Sequence, residues 1–254
     1  MRIEIKGMEE VKNVFIGLQK ELPTVMAKSL TFTADKVQRG LVGIMEHTFD
    51  RPTPYTLNSL KRTVATVNKQ SSSVYFKDEL SRTGGGSLPS EYLTPQIHGG
   101  SRIQKRFELA LQHKGVLPRG WFAVPGDFAK IDQYGNISRG QIQELLSYFA
   151  AAEMTAGYTA NMTAKKKARL KRGTKKKQGF VYFAIPPGQQ KAPGIYKRLS
   201  SAWSAPAFSI LIFVKSVKYK PRFDFYGDGQ EIADREWRPI FDQALDSALR
   251  KLET

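Results

Sequence analysis

The chain contains no cysteine and only three histidines among its 254 residues. The absence of cysteine excludes disulfide bonds, thiolate nucleophiles and cysteine-based zinc or iron–sulfur sites. The histidines, His47, His98 and His113, do not have the spacing of metal ligands. Zinc-protease, nucleophile-elbow, Walker A and dinucleotide-binding motifs are also missing from the sequence. We therefore expect no metal, no cofactor and no catalytic residues, and the sequence predicts a protein that is not an enzyme.

Long hydrophobic runs are missing as well. The most apolar segment, Ala205 to Val214, has about half of the roughly 20 residues that a membrane-spanning helix needs. The first six residues alternate charged and apolar side chains, which is unlike a secretory leader. We therefore expect a soluble protein with neither a leader nor a membrane span. Hydrophobic residues still make up 41% of the chain, which is enough for a substantial core.

Two segments resemble ligand-binding loops but lack a defining feature. The glycine-rich stretch Thr83–Ser87 has no lysine to hold a phosphate, so it is predicted to be a plain loop. Asp224, Asp228 and Asp234 do not have the spacing of a calcium loop, which favours a turn with solvated carboxylates.

Positive charge is concentrated in one short stretch. The net charge of the chain is +17, and without the nine basic residues of this stretch it would be +8. These residues are Lys165, Lys166, Lys167, Arg169, Lys171, Arg172, Lys175, Lys176 and Lys177. Such a density of cations would bind a phosphate backbone without reading its bases. The alternative is a solvated, disordered loop that its charge keeps soluble. In either case we predict that residues 155–178 form an exposed, flexible loop.

The N-terminal part of the chain predicts one strand and two helices. Ile3 and Ile5 share one face of an extended chain, which indicates a strand over Arg2–Lys6. A first helix is predicted from Glu9 to Glu21, ended by Pro23. Apolar residues at steps of three and four then indicate a long helix over Thr24–Thr48.

Two capping boxes and several β-prone runs occupy the middle. Ser101–Gln104 and Ser138–Gln141 each have the spacing of a capping box, and Gly115 is the predicted end of the first helix. The predicted strands, of which the first two form a hairpin, are Thr63–Val67, Val74–Lys77, Trp121–Val124, Phe180–Ile185, Ile195-Tyr196 and Phe208–Val214.

A helix at the C-terminus completes the predicted fold. Its apolar stripe consists of Trp237, Phe241, Leu245, Ala248 and Leu252. The fold class is therefore α+β, with a mixed, mainly antiparallel sheet packed against long N-terminal and C-terminal helices. We predict a single domain over residues 1–254, with an inserted helical and basic-loop region at 115–179.

Three stretches together resemble a family of bacteriophage proteins. Met1–Val11 has a strand–glycine–helix opening, and Tyr92–Arg102 ends in Gly100-Ser101-Arg102, which is similar to a Gly-Thr-Arg turn. The third stretch consists of Pro193–Arg198, the strand Phe208–Val214 and the terminal amphipathic helix. This combination resembles the neck and tail-completion proteins of tailed phages, in particular the minor tail protein Z group.

The resemblance implies a structural virion protein that acts late in assembly. Such a tail-completion or neck component would form a homo-oligomeric ring, expected to be a hexamer, at the head-proximal end of the tail and support head–tail joining. Its partners would be other tail and head–tail connector proteins, without a membrane. It would lie in the host cytoplasm during assembly and afterwards in the virion. The family has no catalytic residues to transfer to this chain.

The basic stretch then has two candidate targets. In a ring around the genome channel, Lys165–Lys177 would contact the passing DNA or a neighbouring subunit. A non-specific nucleic-acid-binding protein that uses the same residues is the alternative function. A nuclease with carboxylates gathered from distant positions is a third, less favoured reading.

Overall fold

The computed structural model describes residues 8–78, 87–154, 161–175, 177–199 and 205–252. The predicted strand at Arg2–Lys6 and residues 83–86 of the predicted glycine loop lie outside these ranges. Contacts divide the chain into two compact units, one made of the described parts of Met1–Ile97 and Pro221–Thr254, the other of His98–Lys220. The predicted insertion at 115–179 lies within the second unit. That the whole chain behaves as a single domain stays a prediction.

The fold class is α+β, as the sequence predicts. The α-helices of the described residues are α1 Met8–Thr48, α2 Pro54–Leu57, α3 Pro89–His98, α4 Arg106–His113, α5 Arg139–Tyr148, α6 Ala164–Arg172 and α7 Phe225–Leu252, and a short 3-10 helix spans Ala152–Met154. The strands are β1 Leu60–Arg62, β2 Val74–Phe76, β3 Gly100–Ser101, β4 Phe122–Pro125, β5 Gly173–Thr174, β6 Lys177–Gln178, β7 Val181–Ile185, β8 Gly194–Arg198, β9 Ala207–Val214 and β10 Lys218–Tyr219. No helix in this part of the chain combines the length and apolar character that crossing a membrane requires.

The long helices α1 and α7 pair in the first unit. A Cβ atom on Gly17 would lie 2.8 Å from Leu252 Cδ2, and one on Gly40 would lie 2.6 Å from Ile232 Cδ1. The early part of α1 thus meets the end of α7, and the later part meets its beginning. The helices therefore run antiparallel, in contact over about 35 Å of α1.

The predicted helix end at Pro23 is wrong, because α1 continues through this residue. An internal proline removes one hydrogen bond and its ring crowds the preceding turn, at a cost of about 3 kcal/mol. The contacts of α1 with α7 on both sides of Pro23 offset that cost.

A small hairpin and the start of α7 complete the core of the first unit. Strands β1 and β2 pair antiparallel, with Leu60 opposite Phe76. The predicted hairpin therefore exists, but its first strand precedes the predicted Thr63–Val67, because Leu60 is the residue that packs in the core. The other large buried side chains of this core include Leu41, Met45, Leu93 and Phe223.

The second unit is built on a four-stranded antiparallel sheet of order β4-β9-β8-β7. Helices α4 and α5 contribute Leu111, Leu145 and Leu146 to its core, where they join Ile195 and Leu211 of the sheet. The strand predictions for this sheet are confirmed within one or two residues at each end. Short strands β3 and β10 pair antiparallel, which brings the beginning and the end of this unit together.

The two capping-box predictions have different outcomes. Ser138 is the N-cap of α5, and its hydroxyl accepts a hydrogen bond from the backbone amide of Gln141, as predicted. The second half of the box is not formed, because the Gln141 side chain accepts from the Lys130 amide and the Ser138 amide donates to the Lys130 carbonyl. The prediction for Ser101 is wrong, because Ser101 pairs with Lys218 in β3 and the helix α4 begins only at Arg106. The end of α4 at Gly115 is confirmed by its left-handed backbone, with φ of 69°.

Candidate functional site

Two of the three candidate metal-ligand aspartates, Asp224 and Asp234, accept hydrogen bonds from nearby groups of the chain. In the described ranges, no group of three or more His, Asp or Glu side chains is placed to hold a metal ion. Asp224 Oδ1 accepts a hydrogen bond from the Gly227 amide at 2.9 Å, and Asp234 accepts one from Gln230 at 2.8 Å. The predicted turn around Asp228 is wrong, because this residue lies in the first turn of α7. Burial, together with neighbouring Asp224 and Glu231, raises the pKa of Asp228.

A buried ion pair forms a fully hydrogen-bonded polar cluster in the second unit. Glu108 is fully buried, and its carboxylate accepts hydrogen bonds from Arg102 Nη1 at 2.7 Å and Arg102 Nη2 at 2.5 Å. The backbone amides of Lys105 and Ala123 donate to the same carboxylate, at 2.6 and 2.7 Å. Each carboxylate oxygen thus accepts two hydrogen bonds, which leaves no oxygen free to bind a ligand.

This cluster gives the Gly100-Ser101-Arg102 turn a structural role. Arg102 bridges β3 to the start of α4, and the Ala123 amide ties β4 to the same carboxylate. The guanidinium of Arg102 also lies 4.8 Å from the ring centre of Phe122. Glu108 was not among the residues predicted from the sequence. Its position could have indicated this role, because an acidic side chain three residues after the N-cap of a helix can accept a hydrogen bond from the N-cap backbone amide. Here Lys105 is the N-cap and Glu108 is the acidic residue.

The basic stretch contains a helix where a loop was predicted. Residues Ala164–Arg172 form α6, and Thr163 Oγ1 caps it by accepting a hydrogen bond from the Lys166 amide at 3.3 Å. The loop prediction is therefore wrong for these nine residues. The physical reason is that alanine, leucine, lysine and arginine all favour the helix, and Thr163 supplies the missing acceptor at its start.

One side of α6 packs against other elements of the second unit. Lys167 is partly buried, with its Nζ atom 5.1 Å from the ring centre of Tyr148. Leu170 is also partly buried, and its carbonyl accepts a hydrogen bond from the Phe180 amide at 2.9 Å. These two residues lie three apart, on the same side of the helix. The remaining sides of α6 therefore face solvent.

The structure describes eight of the nine predicted contact residues and places seven of them in solvent. Lys176 lies outside the described ranges. Lys167 is the partly buried one, and the exposed residues are Lys165, Lys166, Arg169, Lys171, Arg172, Lys175 and Lys177. The ion pairs found among the described residues include none of these cations.

A tight hairpin follows α6 and holds its last cations near the helix. Strands β5 and β6 pair Gly173 with Gln178 and Thr174 with Lys177. Gly173 has a φ of 75°, a left-handed conformation that favours glycine. A Cβ on Gly179 would collide with the Lys171 carbonyl, so the chain returns in direct contact with the end of α6.

The pair α1–α7 carries a second exposed surface, which is apolar over the larger part of its area. A groove of about 480 Å³ runs between the two helices, and its apolar lining includes Val25, Phe32, Ile240, Ala244 and Ala248. Phe32 is 59% exposed at the edge of this groove, and Phe15, nearer the start of α1, is 66% exposed. We call the groove that Phe32 lines the helix-pair groove.

Comparison with known protein families, with curated proteins and with solved structures found no match for this chain. The two exposed surfaces differ in their chemistry. The helix-pair groove offers apolar area to another protein, and the exposed side of α6 offers positive charge.

Proposed function

We propose that this chain is a structural virion protein of a tailed bacteriophage, a tail-completion or neck component whose copies form a ring at the head-proximal end of the tail. The observation that carries the proposal is the helix-pair groove, an apolar surface on the longest helices of the described chain. The resemblance of the sequence to phage neck and tail-completion proteins supplies the place of assembly.

The groove is suited to an occupant that covers apolar area. Removing a phenylalanine side chain from water contributes about 1.5–3 kcal/mol, and Phe32 leaves most of its surface exposed in the isolated chain. We assign the groove to a second copy of this chain, because its rim carries both charge signs. Glu21 is acidic, while Lys28 and Lys36 are basic, so the rim can pair with a copy of itself.

Locating the chain in phage particles tests this function. A phage that lacks the gene is complemented with an epitope-tagged copy, and gold-labelled antibody is imaged on purified particles. We expect label at the junction of head and tail, and unjoined heads and tails without the complementing copy. Purified infectious particles that contain no tagged chain would contradict the proposal.

A groove variant separates assembly from folding in the same experiment. Phe32→Glu places a charge in the apolar lining and is expected to reduce infectious particles at least tenfold. Val64→Glu is the control, since Val64 is 60% exposed in the same compact unit but does not line the groove. Equal yields from both variants would show that the groove takes no part in assembly.

The alternative is a non-specific nucleic-acid-binding protein, and the exposed cations of α6 favour it. A chain that is absent from particles but binds DNA with a steep salt dependence would support this alternative.

A further inference from the structure

We propose that the exposed side of α6, together with the β5–β6 hairpin, binds the phosphate backbone of duplex DNA without reading its sequence. The surface, which we call the basic face, has an outer row of Lys165, Arg169 and Arg172. Lys166 and Lys171 flank this row on α6, and Lys175 and Lys177 are exposed on the hairpin that follows. The inference is independent of the proposed function, since it applies equally to a virion component and to a free DNA-binding protein.

Helix geometry aligns the outer row. Its residues follow one another at steps of four and three, which places them on one side of α6, opposite Lys167 and Leu170. The rise along the axis separates Lys165 from Arg169 by about 6 Å and from Arg172 by about 10.5 Å. A duplex presents roughly six phosphates over that length, so all three cations can be engaged at once.

The basic face is arranged at the expense of helix stability. Lys165, Lys166 and Lys167 occupy the first turn of α6, where the partial positive charge of the helix terminus disfavours cations. Lys165 and Arg169 are four residues apart, as are Lys167 and Lys171, and like charges at this spacing repel. The sequence from 164 to 178 contains no acidic residue to relieve these repulsions. A bound polyanion relieves them.

The surroundings of α6 favour a duplex over a single strand. Binding of single strands relies on aromatic rings on which bases stack. Two rings beside α6 already contact lysine ammonium groups, because Lys167 Nζ lies 5.1 Å from the Tyr148 ring centre and Lys197 Nζ lies 4.0 Å from that of Phe180. The residues of α6 and the hairpin include no aromatic side chain.

An acidic protein surface is less suitable as the occupant. Protein interfaces are anchored by buried aromatic or large apolar side chains at their centre. The uncharged residues on the exposed side of α6 are Ala164 and Ala168, which offer little apolar area. Phosphate contacts need no such anchor, because the release of counterions drives them.

The test measures binding of the full chain to a fluorescent 20-base-pair duplex of arbitrary sequence by anisotropy, between 50 and 200 mM NaCl. The variant replaces the outer row, K165Q/R169Q/R172Q. The control, R106Q/K114Q/R119Q, removes one lysine and two arginines that are exposed in the same compact unit. Glutamine favours helices about as well as lysine and arginine, so circular dichroism should show unchanged helix content.

The logarithm of the binding constant falls linearly with the logarithm of the salt concentration, and each phosphate contact makes this slope steeper by about 0.9. We therefore expect the slope of the outer-row variant, which lacks three contacts, to be shallower than that of the parent chain by about 2.7. The fall in affinity between 50 and 200 mM salt should then be about 40-fold smaller than in the parent chain. The control should keep the parent slope. Equal slopes for variant and control would overturn the proposal. So would an outer-row variant that loses binding to polyglutamate but keeps its affinity for the duplex.

Discussion

The buried carboxylate of Glu108 shows how a charged residue can be structural. Removing a carboxylate and a guanidinium from water costs several kcal/mol per ion, which their attraction offsets only when every hydrogen-bonding position is used. Glu108 meets that condition with four hydrogen bonds, from Arg102 and from two backbone amides. Other pairings would leave a charge buried without its partner. The cluster therefore favours one arrangement of β3, α4 and β4 over alternatives.

The ends of α4 and α5 use the same backbone motif with different residues. After α4, the amide of Val116 donates to the Leu111 carbonyl, and Gly115 takes the left-handed position. After α5, the amide of Ala151 donates to the Leu146 carbonyl, and the left-handed residue is Ala150, with φ of 57°. A Cβ atom makes this conformation costly by about 1–2 kcal/mol.

Ala150→Gly should therefore raise the free energy of unfolding. We expect a gain of up to about 1 kcal/mol, because the relief of strain exceeds the extra chain entropy that glycine brings to the unfolded state. Urea unfolding measures the change. The control is Ala168→Gly in the middle of α6, which should lose about 1 kcal/mol. A loss at both positions would contradict the strain at Ala150.

The sequence could predict the helix end at Gly115 but not the one at Ala150. Gly115 indicates a helix end by its residue type, and that prediction is confirmed. Ala150 is a strong helix former, so its type argues for continuation. Its conformation depends on where Leu145, Leu146 and Ala151 are buried, which only the assembled core determines.

The helix end predicted at Pro23 failed for a related reason at the scale of elements. Pro23 lies inside α1 and Pro239 lies inside α7, although an isolated helix would be interrupted at either position. What keeps α1 continuous is α7, whose residues follow more than 170 positions later in the sequence. A pattern read over one or two helical turns contains no information about such a partner.

The candidate site could be predicted in part. The sequence identified the cations of the basic stretch, but their density favoured a loop. Local signals for α6 were present in Thr163 as a cap, in the strong helix formers after it and in Gly173 at its end. The inward position of Lys167 could not be predicted, because it depends on Tyr148 in a separate element. The helix-pair groove likewise requires both helices to be placed.

Close packing between α1 and α7 gives a prediction for two neighbouring glycines. A Cβ on Gly40 would lie 2.6 Å from Ile232, whereas one on Gly43 would have no atom within 4 Å. Gly40→Val should lower the free energy of unfolding by about 1–3 kcal/mol, because it forces the helices apart. Gly43→Val should leave it unchanged or raise it by a few tenths, since valine favours the helix more than glycine does.

Urea unfolding followed by circular dichroism compares the two variants. Both variants add a valine side chain to the same helix, so the change in helix propensity is the same for both. The difference between their free energies of unfolding therefore measures the contact of residue 40 with α7. Equal stabilities would show that Ile232 moves aside without cost, and that α1 and α7 do not depend on close approach at Gly40.

At the scale of the whole molecule, the two compact units have separate apolar cores. Leu41, Leu60 and Phe223 belong to one core, while Leu111 and Leu211 belong to the other. Domains with their own cores can unfold at different denaturant concentrations, which departs from two-state behaviour. We expect two transitions in urea, and substitutions in one unit should move only one of them.

Two variants assign these transitions. Glu108→Gln leaves Arg102 without its buried counter-charge and should lower the stability of the second unit by about 3–5 kcal/mol. Gly40→Val should shift only the transition of the first unit. The two can be followed in one titration by hydrogen exchange, through amides of α1 for one unit and of β8 for the other. If each variant instead shifts one transition that the amides of α1 and of β8 report identically, the chain unfolds as the single domain predicted from its sequence, and the units are not independently stable.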